Sequence, residues 1–261
     1  MIRESLPRNF ILVLFCTVIV FLAVIVLYVQ DQIKIQTEII ESERLITINQ
    51  IASRTELRIN NAISILGILS KNPHIINPPS ATLIDEKIHG IPEDIDVSRR
   101  NAMRDTFDYY GSFQNMLFLL PNGDVYINEP FLFQKNMTAS NFAFRDWYKE
   151  IIDTKDVVVS DVVVSKSSNK PNVVIAVPVF SQDKLFQGIL TGSLNLDIIE
   201  EKLDELKSYT NERILIVDNT RTVVADSEHI LKGQSVTLGV GAIETSLSDK
   251  SGTIIGTING T

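Results

Sequence analysis

The chain has 261 residues, a formal net charge of -8, one cysteine and three histidines. That length allows one or two domains, and an acidic balance with no basic face excludes a nucleic-acid partner. The lone Cys16, and His74, His89 and His229 far apart in the chain, exclude a disulfide framework and leave no residues at metal-ligand spacing, so neither metal nor cofactor is expected.

Phe10 to Val29 is apolar except for Thr17, and about 20 such residues span a bilayer as a helix. The following Tyr28-Val-Gln-Asp-Gln-Ile33 has no small-residue cleavage pattern, which reads as an uncleaved anchor rather than a signal peptide. Arg3, Arg8 and the α-amine precede the apolar run, while Asp31, Lys34 and Glu38 follow it. The positive-inside rule then predicts a cytoplasmic N-terminus over residues 1–9, a transmembrane helix over 10–30 and an extracytoplasmic remainder.

Residues 31–72 read as one long stalk helix. Ile35, Ile39, Ile46, Leu57, Ile63, Ile65, Leu66 and Leu69 fall at helical spacing among polar residues. About 40 residues of helix reach roughly 60 Å, too far to stand alone. The stalk is expected to pack along its own domain and on the same helix of a second copy, giving a homodimer.

Pro73, Pro78, Pro79 and Pro92 mark an irregular connection, after which Ser98 to Tyr110 forms a helix with Tyr109 and Tyr110 as core and rim. Phe113–Leu120 and Val125–Asn128 flank Pro121-Asn-Gly-Asp124, a strong hairpin signal. A polar loop leads to a helix over Phe144–Asp153. Three β-branched runs follow, Val157–Ser165, Asn172–Phe180 and Gln187–Leu196, separated by polar turns. Hairpin and meander together predict a five-stranded antiparallel sheet, with the long helix on one face and the loop-helix segment on the other. In Gly188-x-x-x-Gly192 the glycines are expected to permit close backbone packing. A second helix is expected over Asp197–Tyr209. Arg213–Ala225 then repeats the hydrophobic pattern of Met116–Tyr126 at an offset of about 98 residues. The fold class is α+β.

The chemistry concentrates in Phe142-Ala-Phe-Arg-Asp-Trp-Tyr148, which holds the single Trp. A guanidinium pairs with a carboxylate in a planar fork, and aromatic faces exclude water around it, so the cluster reads as a grip for a small anionic or zwitterionic molecule. On the residues alone the alternative stays open that Trp147 and Phe144 are core and Arg145 a surface charge. Asp156, Asp161 and Asp183 fall at strand ends and turns, where acids are solvated. With no nucleophile elbow, zinc-protease motif or glycine-rich phosphate loop, no enzyme is expected.

The order of anchor helix, stalk helix, sheet module and second sheet module resembles the double Cache sensor domains of prokaryotic membrane receptors. The likeness rests on Arg145-Asp-Trp-Tyr148, Val159-Ser-Asp-Val-Val-Val-Ser165, Ile175-Ala-Val-Pro-Val179 and Gly188-Ile-Leu-Thr-Gly-Ser-Leu194, and covers about residues 10–261. It implies two tandem PAS-like modules, a membrane-distal one over 73–197 and a partial membrane-proximal one over 198–261. It implies a small-molecule ligand in the distal module, with Arg145, Trp147 and Tyr148 lining the pocket and Tyr126 and Ser193 as further candidates. In the amino-acid-binding branch a Tyr stands where this chain has Ser140, Tyr and Asp stand at Val163 and Ser165, and an amine-reading Asp stands at Ser193. An α-amine in a closed pocket needs an acceptor, so a carboxylate or neutral polar solute is expected rather than a free amino acid. The expected role is a membrane-anchored extracytoplasmic sensor for signal transduction or chemotaxis. With no output domain in the sequence, the expectation is a truncated reading frame or a receptor working through a partner. The alternative is a non-sensing anchored surface or assembly protein that reuses the fold.

Overall fold

The computed structural model describes residues 8–81, 84–111, 113–194, 196–197, 200, 203–204, 207, 213–218, 220–237 and 259–260. Helix α1 runs unbroken for 62 residues, Arg8–Leu69, joining the expected membrane span and stalk in one element. No proline falls between residues 8 and 72 to interrupt it. Its stretch Leu14–Ile40 is long and apolar enough to cross a membrane, and none of it is buried in the protein. At its far end Ala62, Leu66 and Leu69 are buried against the sheet.

A single turn, α2 (Pro73–Ile76), is capped by the Asn72 side chain, which accepts from the His74 N–H. Helix α3 (Val97–Tyr110) buries Arg99, Arg100 and Met103 and stops at Gly111. Its two terminal tyrosines do not fill the expected core and rim. Tyr109 and Tyr110 are both exposed and stack edge to face at 5.0 Å, because the buried stripe of α3 is set by Arg99 and Met103.

The sheet comprises β1 (Phe113–Leu119), β2 (Val125–Glu129), β3 (Val158–Val164), β4 (Pro171–Phe180) and β5 (Phe186–Leu194), in the order β2-β1-β5-β4-β3, every pair antiparallel. Between β2 and β3 lie α4 (Phe131–Lys135), a short helix where a polar loop was expected, and α5 (Asp146–Thr154). Gln134 of α4 is fully buried; it accepts from Asn128 N–H and donates to the Ile91 carbonyl, tying the loop to the sheet edge. Helix α5 starts two residues later than expected because Arg145 is extended and serves as its N-cap position.

Strand alternation divides the core. Met116, Phe118, Ile175, Val177 and Leu190 meet α1 and α3; Leu117, Leu119, Val174, Ala176 and Ile189 meet α5. At Gly188 a Cβ would lie 2.2 Å from the Leu119 carbonyl, so β5 reaches β1 there only with glycine.

Of the helix expected over 197–209, the described residues 197, 200, 203, 204 and 207 are helical; Ile198, Ile199 and Leu206 lie outside the described residues. A second hairpin follows, β6 (Leu215–Val217) with β7 (Val223–Asp226), and β8 (Val236–Thr237) pairs with β9 (Asn259–Gly260). The stretch 251–258 lies outside the described residues. The second hairpin docks on the β3 edge: Asp218 accepts from the Val162 N–H, which an irregularity in the β3–β4 pairing leaves free, and Val173, Leu196 and Val224 pack together.

Candidate ligand-binding site

One end of the α5 face of the sheet is polar. Asn115 on β1, Asn172 on β4, and Thr191 and Ser193 on β5 are all buried, and they line a cavity with Leu117, Val174, Phe142, Arg145, Trp147 and residues 163–167. The strands set this up by pairing: Ser193 sits between Asn115 and Val174, one row from Thr191 between Leu117 and Ala176. The other end of the same face is apolar and holds α5 through Trp147, Tyr148 and Ile151.

The Asn115 amide is oriented by its neighbours. Its Nδ2 donates to Asn128 Oδ1 at 3.1 Å and to Ser167 Oγ at 3.4 Å. Asn128 Nδ2 in turn donates to Ser167 Oγ and the Met137 sulfur, both at 3.2 Å. Asn115 Oδ1 is thereby turned away from these donors and has no partner among the described residues. Asn172 Oδ1 and Trp147 Nε1 are also buried without partners. Buried polar atoms are paired in most proteins, and leaving one unpaired costs about 1–3 kcal/mol. Two acceptors and one indole donor, all on residues that line one cavity, are thus left free to meet a polar occupant.

Arg145 donates from its guanidinium to the Val164 carbonyl at 2.7 Å and lies over the Phe144 ring at 5.0 Å. Burial pushes its pKa down while the adjacent Asp146 pushes it up. Lys166 is the second cation, and among the described residues no carboxylate lines the cavity. The cavity volume is about 20 Å³, room for something the size of a water. A larger occupant requires the Phe142–Trp147 segment to lift from the 164–167 turn, and the Arg145–Val164 hydrogen bond is the polar latch holding them together.

Of the five candidate residues, Arg145, Trp147 and Ser193 line one cavity. Two other candidates do not. Tyr148, one position on from Trp147, points about 100° round the helix; it is buried in the apolar end and its hydroxyl donates to the Pro121 carbonyl at 2.8 Å. Tyr126 lies on the opposite face, because its neighbour Val125 faces α5 and alternation turns Tyr126 toward α3. There its hydroxyl donates to Asp96 at 3.0 Å and accepts from the Ala81 N–H at 3.1 Å, beneath the Arg99 guanidinium. Ser140, at the position where the amino-acid branch has a Tyr, is bonded to His89 at 2.7 Å and does not line the cavity. The polar floor of Asn115, Asn172 and Thr191 was not foreseen. Its signal was a period-two polar series inside apolar strands, shown by Thr191 and Ser193 between Ile189 and Leu194.

Comparison with known proteins agrees with this architecture. A family model described as the Cache domain matches residues 31–261. An extracellular ligand binding receptor from Desulfohalobium retbaense shares the fold with a TM-score of 0.60 at 12% identity, over 77% of this chain and 33% of that one. The chain thus spans a third of that receptor's length. The ligand-binding domain of a Pseudomonas aeruginosa amino acid chemoreceptor, solved in complex with GABA, matches with a TM-score of 0.54 at 12% identity, over 80% of this chain and 82% of that one. No protein with a curated description matches the sequence. With an α+β architecture, a long apolar N-terminal helix, a cavity lined by open polar atoms and a family match over most of its length, the chain belongs to the Cache family of non-enzymatic, ligand-binding sensor domains.

Proposed function

We propose that this protein is a membrane-anchored extracytoplasmic sensor that binds a small carboxylate or neutral polar solute between α5 and the sheet and passes the change through α1. The observation that carries the reading is the cavity: Trp147 Nε1, Asn115 Oδ1 and Asn172 Oδ1 stand open beside Arg145, with no carboxylate among the described residues that line it. Leu14–Ile40 is the anchor, and the cations Arg3 and Arg8 before the apolar run orient the rest of the chain outside. The distal module is 73–197 and the proximal module begins at 198.

Strands β4 and β5 supply the route. Asn172, Val174, Thr191 and Ser193 face the cavity, while Ile175, Val177 and Leu190 on the opposite face of the same strands pack in the core of Ala62 and Leu66 at the end of α1. A ligand that holds α5 open shifts the helix only by its differential affinity for the two arrangements. Ile33, Ile39, Ile46 and Leu57 are exposed along α1, and a second copy packing there forms the homodimer.

Thermal unfolding of the full chain in detergent micelles tests the reading. Saturating succinate or lactate is expected to raise Tm, by the equivalent of about 2.7 kcal/mol at 100 times Kd. Arg145→Ala is expected to abolish the shift while leaving the unliganded Tm close to that of the parent. A flat response to carboxylates and neutral solutes alike overturns sensing in favour of a surface or assembly role.

A further inference from the structure

We infer that the cavity selects small carboxylates bearing an uncharged N–H donor, such as a primary carboxamide, over amines of the same length. The assignment rests on reading this cavity as the ligand site. Three buried groups define it: Asn115 and Asn172 are each 2% exposed and Trp147 5%. Trp147 Nε1–H needs an acceptor, and with Arg145 beside it that acceptor is a carboxylate oxygen. Asn115 Oδ1 needs a donor, and its orientation is held by Asn128 and Ser167, so it presents a carbonyl rather than an amide N–H to the ligand. Asn172 Oδ1 offers a second acceptor.

Two neutral carbonyls satisfy an uncharged N–H well and an ammonium poorly. An ammonium entering a buried site needs a carboxylate to offset its lost hydration. Here the charged lining groups are Arg145 and Lys166, both cations. Their charge repels an amine and attracts the carboxylate at the ligand's other end. The donor the floor calls for is therefore uncharged.

Succinamate and 4-aminobutyrate are matched probes, each with a carboxylate and a terminal nitrogen across a short chain, one nitrogen neutral and one charged. Isothermal titration of the full chain in detergent micelles is expected to give succinamate a Kd at least about tenfold lower than that of 4-aminobutyrate or succinate. Asn115→Asp is expected to reverse the order of succinamate and 4-aminobutyrate. The ranking in the unmodified protein already decides the matter if that variant does not fold. Binding of 4-aminobutyrate as tight as that of succinamate overturns the inference. Equal binding of succinate and succinamate also overturns it while leaving the sensor reading intact. Failure of every carboxylate to bind overturns the inference, and failure of neutral polar solutes as well overturns both.

Discussion

The hairpins β1–β2 and β6–β7 share one register at an offset of 98 residues. Leu117 pairs with Asn128 as Leu215 pairs with Asp226, and Phe118 with Ile127 as Ile216 with Ala225; the irregularity then falls at the same step in both. Even the turn recurs, with Gly123 N–H donating to Leu120 and Arg221 N–H donating to Asp218. What differs is the polar pair across the strands. In the first hairpin it is Asn115 with Asn128, neutral, with Asn115 Oδ1 left open at the cavity. In the second, the same positions are Arg213 and Asp226. The guanidinium donates to both carboxylate oxygens at 3.0 and 2.6 Å, and the backbone N–H groups of Glu228, Ile230 and Leu231 also donate to that carboxylate. One hairpin leaves an acceptor open at the cavity; its counterpart turns its polar pair to its own structure.

The largest expected effect follows directly. Asp226→Asn removes the buried carboxylate that Arg213 and three backbone N–H groups share, leaving Arg213 only the longer contact to Glu228 at 3.5 Å, and is expected to destabilise the protein by about 3 kcal/mol, read by denaturant unfolding of the full chain in detergent. Acid is expected to act on the same pair. The Arg213 and backbone donors hold the Asp226 carboxyl well below the usual range, against the opposing effect of burial. Its stabilisation is therefore present above the ordinary aspartate value of about 3.9 and is lost as pH falls through the depressed folded value. Hydrogen exchange corrected for intrinsic rate is expected to show β7 losing protection in acid before β1, which carries no acidic side chain. Simultaneous loss in both hairpins would break the comparison.

Smaller effects sharpen it. Gly123 has φ 90° and a Cβ there would lie 2.9 Å from the Ala143 nitrogen, so Gly123→Ala is expected to cost about 2 kcal/mol. Asn115→Ala, which removes one donor to Asn128, is expected to cost only about 1 kcal/mol, well under the cost of breaking the equivalent ion pair. At the other turn Arg221 holds φ 67° with a side chain, and Arg221→Gly is expected to stabilise by up to about 1 kcal/mol in the same unfolding measurement.

Much of this was legible in the sequence because it is local. The uninterrupted apolar run from Phe10 gave α1, Asn122-Gly123 gave the first hairpin, and three β-branched runs gave the meander. The repeat was legible too, although only the register of the two hairpins gives it a structural basis. The site was legible in part. Arg145, Trp147 and Ser193 line one cavity, whereas Tyr126 serves the α3 side with Asp96 and Arg99. Tyr126 sits in an apolar strand beside a turn, and nothing in its neighbours' identities says which face of the sheet the ligand uses.

The sequence by itself determined the elements, their order, the apolar span and the residue types available for recognition, since these depend on periodicity and turn chemistry within short windows. Tertiary structure alone decided which side chains converge. Asn115, Asn172 and Ser193 stand on three strands whose adjacency follows from the order β1-β5-β4, a pairing of segments far apart in the chain. Whether a buried amide ends with a partner or open to a cavity depends on what that pairing brings opposite it, and for Asn115 it brought Asn128 and Ser167 to the N–H end of the amide and, among the described residues, no donor to the carbonyl end.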